Sequence, residues 1–308
     1  MRKGTEIAMN RKKNLDRLRR SLELEREHKP AYAHLYPFLE ALYTIRERLK
    51  DRVELDVPLL DPALAATQWR EGFPLLRREE FPLDVRVAEG VLEGMEEHVP
   101  ADSESLKRTL AILRRWLATH ESGRESFWRS FVDPGEPAPS GWEMPSEEDG
   151  PALMLWVRAA WGPSVEETAR GILERFPLPP GWRRGYCPVC GCLPSLLFLQ
   201  GRGERKGLCS WCGTRWTLNR IQCPFCSNRC QDSLGYACVE EEPRSRIDHC
   251  NLCRAYFKVL DVRELVEEPY FPLLEWTTLH LDLLAQRAGW KQPPSTSPVV
   301  YDGEGWNR

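Results

Sequence analysis

Cysteine is missing from the first 186 of the 308 residues. A disulfide-stapled secreted scaffold spreads its cysteines, so this void predicts a reducing compartment with cysteine reserved for metal. Long apolar runs are missing too: the longest, Ala152 to Val157, falls far short of the roughly 20 residues a membrane span needs. Met1 to Arg26 is charged throughout and carries no apolar core of a secretory signal. These absences predict a soluble cytoplasmic protein without membrane insertion. A strong charge of one sign is also lacking, since the formal net charge is −3, and bulk attraction to polyanions is excluded. No Gly-x-Ser-x-Gly, phosphate loop or GxGxxG occurs, so no catalytic constellation is expected and the protein reads as a non-enzyme. The pairs Glu89/Glu93, Glu96/Glu97 and Glu121/Glu125 fit exposed helix faces better than catalytic carboxylates.

What is there lies between Cys187 and Cys253, which hold all eleven cysteines. The stretch opens Cys187-Pro-Val-Cys190, returns with Cys209-Ser-Trp-Cys212, and repeats as Cys223-Pro-Phe-Cys226 and Cys250-Asn-Leu-Cys253. A CxxC turn brings two thiolates to one metal, and two such turns complete a tetrahedral site of four sulfurs. Between Cys190 and Cys209 lie 18 residues, and between Cys226 and Cys250 lie 23. Both intervals approach zinc-ribbon or rubredoxin spacing of roughly 15–20 residues. The expectation is two sites in series, Cys187/Cys190/Cys209/Cys212 and Cys223/Cys226/Cys250/Cys253, with an interleaved cross-brace as the alternative. Each would hold one metal ion, Fe or Zn, which spacing does not distinguish. A thioredoxin-like motif needs one CxxC, not four in a row. Cys192, Cys230 and Cys238 are left over. Cys230 is an alternative ligand for the second site, but a free thiol beside a knuckle is the commoner case. His249 adjoins Cys250, yet a full set of four thiolates leaves it no vacancy.

Around this stretch the chain reads as α+β: an all-helical N-terminal domain, two tandem rubredoxin-like or zinc-ribbon modules of four cysteines each, and a C-terminal helix. Apolar residues recur at helical spacing over 11–28, 31–50, 84–98 and 106–117, with a short helix over 63–71. Helical pattern resumes at Ala152–Trp161, and Ser164-Val-Glu-Glu167 has the form of a capping box. Phe176-Pro-Leu-Pro-Pro-Gly181 is a stiff connector. The boundaries follow as 1–176 helical domain, 177–186 linker, 187–222 first module, 223–261 second module, 262–290 C-terminal helical segment and 291–308 disordered tail. Leu196–Leu199 and Arg215–Ile221 read as strands, and Leu273–Arg287 as the last helix. Charge divides the modules. Arg183 to Arg220 holds seven basic residues against one acid, whereas Arg229 to Asp261 is nearly balanced. Trp211 and Trp216, beside the second knuckle, would suit protein recognition if exposed and metal-side packing if buried.

The run Cys187-Pro-Val-Cys-Gly191, Cys209-Ser-Trp-Cys-Gly-Thr-Arg-Trp216, Arg220 and Cys223-Pro-Phe-Cys226 resembles the FdhE family of formate dehydrogenase accessory proteins. So do Arg246-Ile-Asp-His-Cys250-Asn-Leu-Cys253-Arg-Ala-Tyr-Phe-Lys258 and Thr278-Leu-His-Leu-Asp282, running on to Gly289-Trp290. The resemblance is specific from about Cys187 to Trp290 and weaker over 14–50. It implies a cytoplasmic assembly factor that binds the formate dehydrogenase catalytic subunit, with rubredoxin-like metal sites. It marks the eight CxxC cysteines as ligands and Arg220, Arg246 and Lys258 as partner contacts or module braces. The sequence departs from the family at Arg215, where an acid is common, at Asp248, where Glu is usual, and at Ser227, where Gly follows the third knuckle. Two alternatives stand beside this reading: a zinc-ribbon nucleic-acid binder, opposed by the acidic helical half, and a rubredoxin-type electron carrier. The oligomeric state leaves no mark on the sequence.

Overall fold

Leu18 and Leu22, one turn apart, are buried while the charged residues around them face solvent, and this stripe fixes α1 (Arg2–His28) in a computed structural model of the chain. The structure describes residues 2–133, 136–142, 145–240 and 242–293, with side chains from residue 12 onward. The chain forms two units, Met1–Pro58 with Arg78–Thr168, and Leu59–Arg77 with Ala169–Arg308.

The first unit is helical. α2 (Tyr36–Leu49) buries Phe38, Leu39 and Leu42. The second unit's α3 (Pro62–Glu71) intervenes in sequence before α4 (Val85–Met95), whose Val87, Ala88, Val91 and Leu92 are buried. Asp84 caps α4 by accepting from the amides of Arg86 and Val87. α5 (Glu104–Thr119) and α6 (Arg124–Arg129) follow, and α7 (Gly150–Arg175) begins in this unit. Arg46, Glu47, Lys50 and Glu166 form a charged cluster, Lys50 Nζ lying 2.5 Å from each carboxylate.

One expectation fails here. Ser164 does not begin a helix, because α7 runs unbroken through Pro163. Trp156, Val157 and Trp161 before the proline and Val165 and Ile172 after it are all buried. Burying them on one helix outweighs the single backbone hydrogen bond that proline removes. Ser164 Oγ instead accepts from the Asp84 amide at 3.1 Å.

The second unit is built on a six-stranded sheet in the order β3-β2-β1-β6-β5-β4. Its strands are β1 (Pro194–Gln200), β2 (Glu204–Cys209), β3 (Arg215–Thr217), β4 (Leu234–Cys238), β5 (Ser245–Cys250) and β6 (Tyr256–Asp261). All pairings are antiparallel except β1 with β6, where Leu197, Phe198 and Leu199 lie opposite Val259, Leu260 and Asp261 in parallel. That one ladder joins the two cysteine modules into a single sheet. The central strands β1 and β6 are mostly buried, as covered strands must be, whereas no residue of β4 at the edge is fully buried. Leu196, Phe198, Leu208 and Leu260 pack with Phe271 and Leu274 of α8 (Phe271–Trp276). Ile247 and Tyr256 pack with Leu281 and Ala285 of α9 (Leu279–Arg287).

The expected single helix over Leu273–Arg287 is therefore two, broken at Thr277-Thr278. Both threonines are fully buried, and Thr278 Oγ1 returns to the Leu274 carbonyl at 2.7 Å. The expected disordered tail does not include its first residue. Lys291 donates its amide to Arg254 and accepts from Tyr256, while 294–308 lie outside the described residues. Residues 59–77 also pack apart from the helical block in which their place in the sequence puts them, for a reason visible at the first cysteine knuckle.

Candidate metal centres

Each CxxC turn closes in the same way. The amide of the first cysteine donates to the carbonyl five residues on: Cys187 to Cys192, Cys209 to Thr214, Cys223 to Asn228 and Cys250 to Ala255, at 2.8–2.9 Å. The residue after the second cysteine then sits in the left-handed region, with φ of 74° at Gly191, 66° at Gly213, 60° at Ser227 and 62° at Arg254. This turn aims backbone amides at sulfur, as from Val189 to Cys187 Sγ and from Trp211 and Cys212 to Cys209 Sγ, each at 3.4 Å. Such amides stabilise thiolates, which is the form that binds a metal.

The sheet brings the turns together in pairs. β2 ends at Cys209 and β5 at Cys250, so in each module a strand delivers the second knuckle to the first. Cys187, Cys190, Cys209 and Cys212 converge, and so do Cys223, Cys226, Cys250 and Cys253, with ligand atoms within 4.8 Å of one another in each group. The pairing is serial, not interleaved. Close sulfur–sulfur approaches are 3.6 Å (Cys187–Cys212), 3.3 Å (Cys190–Cys209), 3.7 Å (Cys223–Cys253) and 3.7 Å (Cys226–Cys250). A tetrahedron with metal–sulfur bonds of about 2.3 Å has edges of about 3.8 Å. Both groups fit one tetrahedral ion, and the donor set suits zinc and iron alike. Cys230 and Cys238 are exposed and Cys192 is buried, all three outside the two groups.

Electrostatics point the same way. Burial pushes the Cys187 and Cys190 thiols well above their usual range. Burial also opposes ionisation of Cys209, but hydrogen bonds from Cys187, Cys190 and Cys212 outweigh it and hold Cys209 at about 5. In the second group burial raises Cys253 to about 12, whereas amide and Asn228 hydrogen bonds overcome burial at Cys250 and bring it to about 7. Neighbouring thiols that donate hydrogen bonds stabilise one thiolate while staying protonated themselves, so ionising the whole buried set calls for a cation at its centre.

The two centres differ in setting. The first is wholly buried; in the second Cys226 and Cys253 are partly exposed. Residues 59–77 close over the first knuckle. Leu75 and Leu76 donate their amides to Pro188 and Val189, and Trp69 Nε1 donates to Pro188 at 3.0 Å. Tyr186 Oη donates to the Gly72 carbonyl at 2.6 Å. No cysteine or periodicity in 59–77 signals this role. Gly185 couples the centres, since a Cβ there would lie 1.8 Å from the Pro224 carbonyl oxygen of the third knuckle.

The residues predicted to meet a partner separate sharply. Arg220 is exposed and makes no hydrogen bond or ion pair among the described residues. Arg246 is one-third exposed, donates to Asp248 at 2.8 Å and lies 5.2 Å from the Tyr236 ring centroid. Lys258 is buried, and its ammonium donates to Asp282 at 2.7 Å and the Glu275 carbonyl at 2.8 Å. Lys258 braces β6 against the C-terminal helices, whose Glu275 carbonyl and Asp282 carboxylate take its ammonium. Tyr256 Oη reaches the same Asp282 carboxylate at 2.9 Å. Trp211 and Trp216 are buried as well, so neither offers an exposed recognition surface. Arg215 pairs with Glu268, and Asp248 receives both Arg205 and Arg246.

A helical unit followed by one sheet carrying two closed four-cysteine centres defines a tandem-knuckle, zinc-ribbon-like metal-site protein. No family-level sequence profile matches the chain. A protein FdhE homolog from Aquifex aeolicus is 36% identical over 113 residues, 35% of this chain and 39% of that protein. Protein FdhE from Shigella boydii serotype 18 is 26% identical over 295 residues, 88% of this chain and 92% of that one. The crystal structure of the FdhE protein from Pseudomonas aeruginosa superposes with a TM-score of 0.66 at 22% identity, covering 93% of this chain and 95% of that chain. The chain is thus similar to FdhE proteins over most of its length and shares the fold of that solved FdhE protein. Among the described residues no helix is long and apolar enough to cross a membrane.

Proposed function

We propose that the protein is a cytoplasmic, non-enzymatic accessory factor for formate dehydrogenase assembly, and that it binds the enzyme's catalytic subunit through its metal-stabilised unit. The eight knuckle cysteines are the metal ligands. Similarity to FdhE proteins over most of the chain supports the formate dehydrogenase link, and one structural observation supports binding over catalysis. Each group of four cysteines supplies four thiolates to one tetrahedron, leaving no position for a substrate or an activated water. What the centres supply is rigidity: four turns clamped by metal hold the loops between them, including the one that carries Arg220. Fixed side chains lose less freedom on association, which favours recognition.

Arg220 carries the prediction, because its planar fork makes paired contacts to carboxylates and no hydrogen bond or ion pair among the described residues occupies it. The test is a pull-down of the catalytic subunit from cells grown on formate, with elemental analysis of the bait. Arg220→Ala is expected to keep both metals and bind the subunit more weakly. Full binding by that variant removes Arg220 from the docking surface; loss of metal or fold makes it a brace.

A further inference from the structure

Two concavities on the second unit belong to neither metal centre alone. One, of about 250 Å³, is lined by Arg220, Ile221, Tyr236, Arg246, Cys223 and Cys250 among others. The other, of about 300 Å³, is lined by Arg183, Arg202, Arg205 and Arg220 together with Glu204. Arg205 and Arg220 line both. We propose that this double groove docks an extended, acidic segment of a partner polypeptide laid beside the open edge of β4. The proposal rests on the client-binding function above and names the surface and the chemistry it selects.

Charge is the first argument. Five arginines face two acids across the concavities, and both acids are already engaged. Asp248 receives Arg205 at 2.9 Å and Arg246 at 2.8 Å, and Glu204 lies 3.8 Å from Lys206. Arg202 and Arg220 are exposed and make no hydrogen bond or ion pair among the described residues. Arg205 gives them a fixed base. It is buried, donates to the Gln222 carbonyl at 2.7 Å, and so pins the loop that carries Arg220. Its Nε has no hydrogen-bond partner among the described residues. A buried guanidinium edge left unmatched is a cost that an incoming carboxylate removes.

Shape is the second argument. β4 pairs with β5 alone, so its outer backbone edge carries no strand among the described residues. An extended peptide matches such an edge by main-chain hydrogen bonds, while side chains on alternate positions enter flanking pockets. Tyr236, on β4, is 66% exposed with Arg246 behind its ring, and Ile221 is 51% exposed beside Arg220. These supply an apolar platform next to the cations. A nucleic-acid strand would also satisfy the arginines, but its backbone lacks the alternating donors and acceptors that a strand edge requires.

The experiment uses the full chain loaded with both metals. Its probes are the formate dehydrogenase catalytic subunit, overlapping peptides covering that subunit, and a single-stranded RNA oligonucleotide. Arg202→Glu combined with Arg220→Glu is expected to weaken subunit binding at least tenfold, and Tyr236→Ser at least threefold. Arg19→Glu, the same charge change on the exposed face of α1, leaves binding unchanged. Metal content stays at two per chain throughout, and the peptides captured by the wild-type protein are acidic. Subunit binding by the double reversal within twofold of wild type, capture of peptides without acidic excess, or tighter binding of RNA than of any peptide overturns the groove. Failure of the wild-type protein to bind the subunit at all overturns the proposed function instead.

Discussion

Ser227 holds a conformation that glycine would hold at lower cost. Its φ of 60° repeats the 74° and 66° of Gly191 and Gly213 at the same place in the first centre's knuckles. A side chain in that region costs about 1–2 kcal/mol. Glycine gives back roughly 0.5–1 kcal/mol through the freedom it has in the unfolded chain. Ser227→Gly therefore gains a net of about 0.5–1 kcal/mol. The Ser227 side chain is exposed and makes no hydrogen bond among the described residues, so nothing offsets that gain. Metal binding and module folding are one equilibrium, and the gain should appear as about two- to fivefold tighter metal binding at the second centre. Zinc transfer from the loaded full chain to a chromophoric chelator measures it. The slow phase assigned to the buried first centre should not move. Gly213→Ser should weaken that phase by a similar factor while leaving the second centre alone. An unchanged or weaker second centre in Ser227→Gly refutes the reasoning, as does a shift of both phases together. Arg254, at φ 62°, is the less clean test because its guanidinium donates to the Gly289 carbonyl.

Other outcomes follow from the same geometry. Lys258→Met strands the Asp282 carboxylate inside the second unit, and should cost about 3–5 kcal/mol in denaturant unfolding. Gly185→Ala drives a methyl against the Pro224 carbonyl; the backbone must shift, and a loss of roughly 1–3 kcal/mol is expected, with faster metal release. Chelation of both metals should abolish the dispersed signals of the sheet while helical circular dichroism from the cysteine-free unit persists; complete loss of helicity contradicts this. Acid should release both metals, since protons compete for every thiolate, and binding at neutral pH should eject protons in proportion to the thiols that burial keeps protonated, Cys187 and Cys190 above all.

The knuckles were legible in the sequence because their chemistry is local. A CxxC turn declares its ligands within four residues, whereas the interval between turns left serial and interleaved pairing open until the sheet brought the turns together. Helices with clear apolar spacing, α2 and α4, were legible on the same terms. Ser164 misled because a capping box and a proline are local signals, whereas burial of Trp156 and Val165 on one helix is a property of the whole core. The choice between contact and brace for Lys258 was not legible, because its partner Asp282 lies 24 residues away on another element. Leu75 and Leu76 gave no hint of closing over Pro188 and Val189, since backbone hydrogen bonds carry that contact and any apolar pair would serve. β2, β4, β5 and β6 are not legible because strands of five or six residues are too short for a period strong enough to read.

Calorimetric titration of the formate dehydrogenase catalytic subunit into the full chain, first with both centres loaded and then after removal of metal, tests the central claim most directly. Saturable binding by the loaded protein that disappears on metal removal, with helicity retained, is the predicted result. No binding by the loaded protein, or equal binding by the stripped one, would contradict the account.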